Sequence, residues 1–420
     1  WYTDTTGIWK TVWAEEVATS YLKGASYSCD FANNYVTYEY EVENYKDGLS
    51  LEIEVSFRGK LLNKTEKTIT ERLGTMAFTL TSVNENWGYQ AWNHAWPNLY
   101  DIVFTLKYNG KAIDTVGSYM GFTQYSTNNQ QILVNYSPTY LRMVLDQGYF
   151  PEGIYTVSDY SSYLNDIKML KELGINCIRK HIKIEADYFY YLCDKYGMIV
   201  LQDFVNNGKY SFLRDTVLPT VLKNVKVNDR KLHRNKEQRA NFIKHGEGVL
   251  KYLHNHPSII GYTIFNEAWG QFDADSMYEH FKSLEPNYLF DATSGWFRQT
   301  KSDFESRHIY FRDINPIISK INKPVFISEF GGYSYKLDEH SFNLSNTYGY
   351  RKIASKEDFE KDLIDLFENQ ILKNKDKLVG CIYTQTSDVE DETNGFITYD
   401  RRVLKVDSKR FKELMNKIKE

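Results

Sequence analysis

The sequence predicts two joined parts, a small all-β sandwich followed by a (β/α)8 barrel. Up to about residue 120 the hydropathy alternates with period two, the mark of half-buried strands. Beyond about residue 138, unbroken apolar runs alternate with helical stretches, the mark of strands buried on both faces. There are eight such runs, the number a (β/α)8 barrel needs, and 420 residues leave room for both parts.

In the first part, Tyr35-Val36-Thr37-Tyr38-Glu39-Tyr40-Glu41-Val42 and Leu51-Glu52-Ile53-Glu54-Val55-Ser56-Phe57 alternate cleanly. Asn109-Gly110 is a hairpin signal, because both residues tolerate positive φ. In the second part, strands are expected at 140–145, 177–179, 198–201, 258–265, 288–290, 308–311, 324–327 and 379–383. Helices are expected at 159–173, 186–196, 236–253 and 409–418. A doubly wound sheet is the alternative, and no glycine-rich phosphate loop supports it.

Apolar residues make up 42% of the chain and charged residues 25%, with 24 Gly and 8 Pro, which excludes disorder and collagen. No apolar run nears the ~20 residues of a membrane span, so no membrane association is expected. Net charge is −4, whereas a nucleic-acid-binding domain is usually basic. The basic stretch 223–239 lacks interleaved aromatics and reads as a solvated loop entering a helix, so no nucleic-acid partner is expected. Four dispersed cysteines without a CxxC argue against a disulfide framework or a zinc site and leave the compartment open. Aromatics are 16% of residues, which suits large cores and surfaces that stack on sugar rings.

Two strand-like runs end in a carboxylate where barrel chemistry sits, at the strand C-termini. One leads into Asn266-Glu267-Ala268-Trp269, the other into Ser328-Glu329-Phe330-Gly331-Gly332. The spacing allows two βα units between them, so both side chains can point into one mouth. Paired carboxylates with split pKa values are what glycoside hydrolysis requires, one as an acid and one as an ionised group.

Further motifs sharpen this. Asp4-Thr5-Thr6-Gly7-Ile8-Trp9-Lys10-Thr11-Val12-Trp13, Gly174-Ile175-Asn176-Cys177-Ile178-Arg179-Lys180-His181, Asn255-His256-Pro257-Ser258-Ile259-Ile260 through Asn266-Glu267, Ser328-Glu329-Phe330-Gly331 and Thr398-Tyr399-Asp400-Arg401-Arg402 occur in this order. In combination they resemble glycoside hydrolase family 2, which includes β-galactosidases, β-glucuronidases and β-mannosidases. The resemblance implies that residues 1–14 are the last strand of a truncated N-terminal sugar-binding jelly roll. It further implies an immunoglobulin-like sandwich over 15–118 and a catalytic barrel over 119–420. Glu267 becomes the general acid/base and Glu329 the nucleophile of a retaining exo-β-glycosidase, with carboxyl groups roughly 5–5.5 Å apart.

The resemblance also implies substrate-site roles. Asn266 would hydrogen-bond the sugar 2-hydroxyl, Tyr310 would hold the nucleophile, and Arg179 would orient Glu329. His181 and Asp146 are substrate-ligand candidates, and Trp269 and Trp296 would line the mouth. His254 and His256 match the Asn-His-Pro turn before the fourth barrel strand, so a structural role is expected in preference to metal binding. No cofactor or metal is expected, and homo-oligomerisation is left open. Glucuronidases of the family carry an Asn-x-Lys motif where this chain has Glu392-Thr393-Asn394 before Gly395, and Tyr383 stands where relatives often carry Trp. A glutamate would repel a uronate carboxylate, so a neutral glycoside is expected, β-galactoside first and β-mannoside second. A carbohydrate-binding protein on an inactive barrel is the competing class.

Overall fold

The computed structural model describes residues 2–80, 89–128, 130–218, 227–310, 312–314, 316 and 323–419. Residues 2–14, where a strand is expected, carry no regular element, because no described strand lies beside them to complete a ladder. They run along the barrel instead. Trp9 meets Tyr155 edge-on at 4.7 Å, and the Thr3 amide donates to the Glu390 carboxylate at 2.8 Å.

Seven antiparallel strands follow: β1 (Tyr21–Asp30), β2 (Tyr35–Glu43), β3 (Leu49–Phe57), β4 (Lys60–Thr68), β5 (Leu73–Thr79), β6 (Tyr100–Tyr108) and β7 (Lys111–Met120). One sheet has the order β1-β2-β5 and the other β4-β3-β6-β7. The period-two pattern explains their packing. Val36, Tyr38, Tyr40 and Val42 from one sheet meet Leu51, Ile53, Val55 and Phe104 from the other in one buried cluster. Asn109 and Gly110 have φ of 48° and 78°, closing Tyr108 onto Lys111 as the hairpin signal requires.

The short strands β8 (Tyr125–Thr127), β9 (Ile132–Val134) and β10 (Ser137–Pro138) lead into the barrel. It comprises β11 (Leu141–Asp146), α1 (Ser161–Glu172), β12 (Cys177–Lys180), α2 (Asp187–Tyr196), β13 (Ile199–Asp203), α3 (Lys236–Leu253), β14 (Ile259–Asn266), α4 (Ala274–Leu284), β15 (Leu289–Ser294), β16 (Glu305–Ile309) and β17 (Val325–Gly331). A small pair, β18 (Tyr333–Tyr335) and β19 (Arg351–Ile353), precedes α5 (Lys356–Leu366), β20 (Gly380–Thr384) and α6 (Ser408–Lys419). The eight parallel strands run β15-β14-β13-β12-β11-β20-β17-β16. Among the described residues no backbone ladder joins β15 to β16. Side chains bridge that seam, with the Ser294 hydroxyl 3.3 Å from Ser306 Oγ and 3.0 Å from His308 Nε2.

Alternate residues of each strand serve two cores. Leu141, Met143, Leu145, Cys177, Ile199, Leu201, Leu289 and Phe326 fill the barrel interior. Val144, Ile178, Val200, Phe290 and Ile327 pack beneath the helices. The fifth and sixth strands differ from the expected 288–290 and 308–311. Their upper inward positions, Asp291, Thr293, Ser306 and His308, are polar and cut the apolar run short. Phe311 lies outside the described residues, as do Lys223 and Lys226 of the basic stretch. Within that stretch, Arg230 pairs with Asp273 at 2.9 Å and Arg239 covers the Phe272 ring. The turn before β14 clasps the sandwich. His254 hydrogen-bonds Tyr27 O (2.8 Å) and Asn255 donates to Ala25 O, while His256 meets Asp194 of the barrel helix α2 at 2.6 Å.

Asp146, expected as a substrate ligand, is turned into a buried ion network instead. Lys180, which pairs with it in register on β12, donates to its carboxylate at 2.7 Å and to Glu185 at 2.5 Å. Glu185 also accepts from Lys183 at 2.7 Å and Tyr163 at 2.8 Å. Removing one member of such a network strands an unpaired buried charge. Lys180→Met is therefore expected to lower unfolding free energy by about 3–5 kcal/mol in urea titration. Lys23→Met, which breaks an exposed pair with Glu43, should leave the midpoint almost unmoved.

Candidate active site

A cavity of about 300 Å³ opens at the C-terminal ends of the barrel strands. Of the residues expected there, Glu267, Glu329, Asn266, His181, Tyr310 and Trp269 line it. Tyr2, Tyr348, Tyr350 and Glu392 complete much of the wall.

Arg179 lies beneath the floor with no exposed surface. It continues the inward face begun by Cys177, and Asp203 continues that of Ile199 and Leu201. The two meet as a bidentate pair at 2.9 and 3.0 Å. The remaining guanidinium protons go to Asn266 Oδ1 (2.7 Å), Ser328 O (3.0 Å) and Glu329 Oε1 (3.3 Å). All five donors are thus used. Burial disfavours the cation, yet Asp203 and Glu329 hold its pKa above the ordinary value.

Local backbone irregularities aim the two glutamates. On β17, Ile327 and Phe330 both pack beneath the helices although three residues apart. Against β20 they pair with Cys381 and Tyr383, so one extra residue is accommodated at Ser328-Glu329. This bulge turns Glu329 into the cavity. Glu267 and Ala268 follow β14 in left-handed conformations, with φ of 49° and 62°. One oxygen of each carboxylate and His308 Nδ1 all lie within 4.8 Å of one another. Among the described residues these three are also the group with metal-ligand spacing.

The two carboxyls have unequal surroundings. Glu329 Oε2 accepts from the Tyr310 hydroxyl at 2.5 Å and Oε1 from Arg179, donors that favour its ionised form. Glu267 Oε1 faces the neutral His308, whose Nδ1 is 2.9 Å away. Burial pushes Glu267 up to about 7, against the pull of Arg179. Burial raises Glu329 too, as does the neighbouring Glu267, opposed by His308, Arg179 and Tyr310. A proton shared by the pair therefore rests on Glu267, which makes it an acid at neutral pH beside an ionised partner.

The other expected residues divide. Asn266 donates to His181 Nε2 at 3.2 Å, and burial lowers the His181 pKa, keeping it neutral. Trp269 lines the cavity, and its indole donates to Asp215 O. Trp296 does not line it. The chain turns at Gly295 (φ 89°), and the Trp296 ring comes to rest 6.5 Å from that of His308, which stands toward the carboxyls. Sequence reasoning missed Asp203 and His308 as site residues. Counting by two from Leu201 and from Phe304 would have found both. It also missed Tyr350, which stacks on Tyr310 at 3.8 Å from a loop without strand periodicity.

Glu392 places a third carboxyl in the cavity, accepting from Gln385 at 2.8 Å. Burial raises it to about 7, against hydrogen bonds from Tyr2 and Gln385. Carbon-13 NMR of glutamate-labelled chain is therefore expected to show two side-chain carboxyls titrating near pH 7. One should vanish in Glu267→Gln and the other in Glu392→Gln; both glutamates titrating near the ordinary ~4.3 would contradict this electrostatic picture.

Comparison with known proteins agrees with the fold. Residues 127–419 match the model for the TIM barrel domain of glycosyl hydrolases family 2, and residues 20–122 match a second model of the same family. The β-galactosidase of Leuconostoc mesenteroides is 24% identical over 321 residues, 73% of this chain and 29% of that protein. The β-galactosidase of Psychromonas ingrahamii is 25% identical over 237 residues, 56% of this chain and 20% of that one. The chain thus spans less than a third of the length of these relatives. Among solved structures, a β-galacturonidase from Eisenbergiella tayi superposes with a TM-score of 0.69 at 18% identity, covering 96% of this chain and 73% of that one. The β-glucuronidase 2 of Bacteroides uniformis gives 0.70 at 16% identity, covering 92% and 50%. With its sandwich and its barrel both matched, the chain belongs to glycosyl hydrolases family 2.

Proposed function

We propose that the chain carries the catalytic centre of a retaining exo-β-glycosidase acting on neutral β-glycosides, β-galactosides first. The observation that carries this is the carboxyl pair. Oxygens of Glu267 and Glu329 come within 4.8 Å, whereas an inverting pair stands roughly 6.5–9.5 Å apart to admit a water. In the first half-reaction a Glu329 oxygen attacks the anomeric carbon as the bond to the leaving oxygen breaks, and Glu267 gives that oxygen its proton. In the second, Glu267 takes a proton from water, the hydroxide oxygen bonds to the anomeric carbon, and the ester to Glu329 breaks. Arg179 and Tyr310 position Glu329 and favour its ionised form. Asn266 and His181 present polar atoms to the sugar.

The small, tyrosine-walled cavity fits a single terminal sugar, since ligand sites commonly run ~300–1,000 Å³. The β-galactosidase relatives support the first choice of sugar. Uronide hydrolysis is the competing reading, because structural neighbours include a β-galacturonidase and β-glucuronidases. Against it, the described lining residues include no Lys or Arg to meet a sugar carboxylate, and Glu392 adds a like charge.

A 2-deoxy-2-fluoro-β-galactosyl donor with a dinitrophenolate leaving group is expected to trap an ester at Glu329, read by peptide mass spectrometry. Sugar binding without any adduct would favour a non-catalytic binding protein. Across 4-nitrophenyl glycosides, galactoside cleavage should exceed glucuronide cleavage, and the reverse order would overturn the sugar assignment. Because Glu267 must be protonated to act and holds its proton up to about 7, kcat/KM should fall as pH rises through that value. Glu267→Ala should cost about 10²–10⁴-fold with a poor leaving group and far less with dinitrophenolate.

A further inference from the structure

We propose that His308 is a positioning residue whose single Nδ1–H serves whichever of Glu267 and Glu329 carries the negative charge, the one in the free enzyme and the other in the glycosyl-enzyme. This rests on the double-displacement reading given above.

The placement is specific. His308 Nδ1 is within hydrogen-bond geometry of Glu267 Oε1 at 2.9 Å and stands 3.4 Å from Glu329 Oε2, so one ring nitrogen lies beside both carboxyls. It gets there through the irregular ladder between β16 and β17, in which Arg307 pairs with Ile327 but His308 pairs with Glu329. The opposite side of the ring is built to receive it. A Cβ at Gly295 would lie 2.7 Å from the imidazole, and Gly295 holds a φ of +89°, so glycine leaves the room the ring occupies. The Ser294 hydroxyl lies 3.0 Å from Nε2, and by donating to that nitrogen it would leave the ring proton on Nδ1, the tautomer this inference takes. These contacts span the seam where, among the described residues, no backbone ladder joins β15 to β16.

Charge accounting explains why a neutral donor is wanted. Before reaction the pair carries one negative charge, on Glu329, and one proton, on Glu267. After glycosylation Glu329 is an ester and Glu267 carries the charge. The charge moves between two groups a few ångströms apart while the imidazole keeps its own proton throughout. An imidazolium would hold Glu267 ionised and remove the acid. Burial guards against this by pushing His308 down to about 4, in the field of Glu329, Arg179 and Asp203. Glu267 in turn feels Arg179 from β12, while Glu392 feels Glu267 across the cavity.

The test uses the full chain with His308→Phe, which removes the donor, and His308→Asn, which keeps an N–H. Glu267→Ala, Glu329→Ala and Glu392→Gln run alongside. His308→Phe is expected to lower kcat about ten- to a hundredfold on substrates limited by either half-reaction, with KM little changed, as for loss of a hydrogen bond to a charged group. The acidic limb of kcat/KM should shift to higher pH, because in the free enzyme the Glu329 carboxylate loses its donor. His308→Asn should recover most of both. Equal losses in the two His308 variants with an unmoved limb, or a loss confined to one half-reaction, would overturn the inference. Should His308→Phe fail to fold, nitrogen-15 NMR of the wild-type imidazole decides. A neutral Nδ1–H tautomer from pH 5 to 8 supports it, and an imidazolium at pH 7 refutes it. If the glutamate variants keep full activity, the double-displacement reading itself falls, and this inference with it.

Discussion

The site depends on a guanidinium that water cannot reach. Arg179 spends five donors on a carboxylate of β13, an amide at the end of β14, and a carbonyl and a carboxylate of β17. In a buried setting each such bond is obligatory, since an orphaned donor costs about 1–3 kcal/mol, more when charged. Four barrel strands are thereby held in register at the level where Asn266 and Glu329 emerge. The arrangement also sets the electrostatics. Asp203 takes up much of the cationic charge, and what remains is directed at Glu329 more closely than at Glu267. One cation thus leaves two neighbouring carboxyls unequal.

A regular barrel would not bring those carboxyls together. Strict alternation along β17 would send Ile327 and Glu329 to the same outer face, beneath the helices. The extra residue at Ser328-Glu329 breaks the alternation and returns Phe330 to the outer face. On β14 the correction is made by conformation instead of by insertion. Glu267 and Ala268 adopt left-handed φ values that cost of order 1–3 kcal/mol each and persist only where the surroundings enforce them. The Glu267 amide donating to Ser294 O and the Trp269 amide donating to Asn266 O supply that enforcement. Both glutamates thus sit at irregular backbone, one at a bulge and one in a left-handed turn.

Much of this was legible from the chain. Apolar runs located the barrel strands because both faces of each strand are buried, and Asn109-Gly110 located a turn because few other pairs fit it. Glu267 and Glu329 stood out because both follow unbroken apolar runs at the strand ends where barrel chemistry sits. Reading failed where the physics is not periodic or not local. The fifth and sixth strands were misjudged because their inward tops are polar. Asp146 has the position of a ligand, but its fate is decided by Lys180, a neighbour in space. Trp296 follows a strand end as Trp269 does, yet the turn at Gly295 swings it aside, to rest beside His308. The bulge has no signature in the residues Ile327-Ser328-Glu329-Phe330 and is seen only against β16 and β20.

Glu392 shows how burial couples chemistry to selectivity under the proposed reading. It shares the cavity with Glu267, and each carboxyl makes it harder for the other to ionise. A proton kept on Glu392 relieves Glu267 of a repelling charge, while a proton lost there raises the negative potential that any anionic sugar must enter. The same desolvation that holds the acid ready therefore makes the wall hostile to a carboxylate, and increasingly so as pH rises through about 7. A cation on the wall would reverse that preference, but it would also pull Glu267 toward ionisation. In a cavity this small, the choice of sugar and the tuning of the acid are one electrostatic problem, and a neutral substrate leaves both intact.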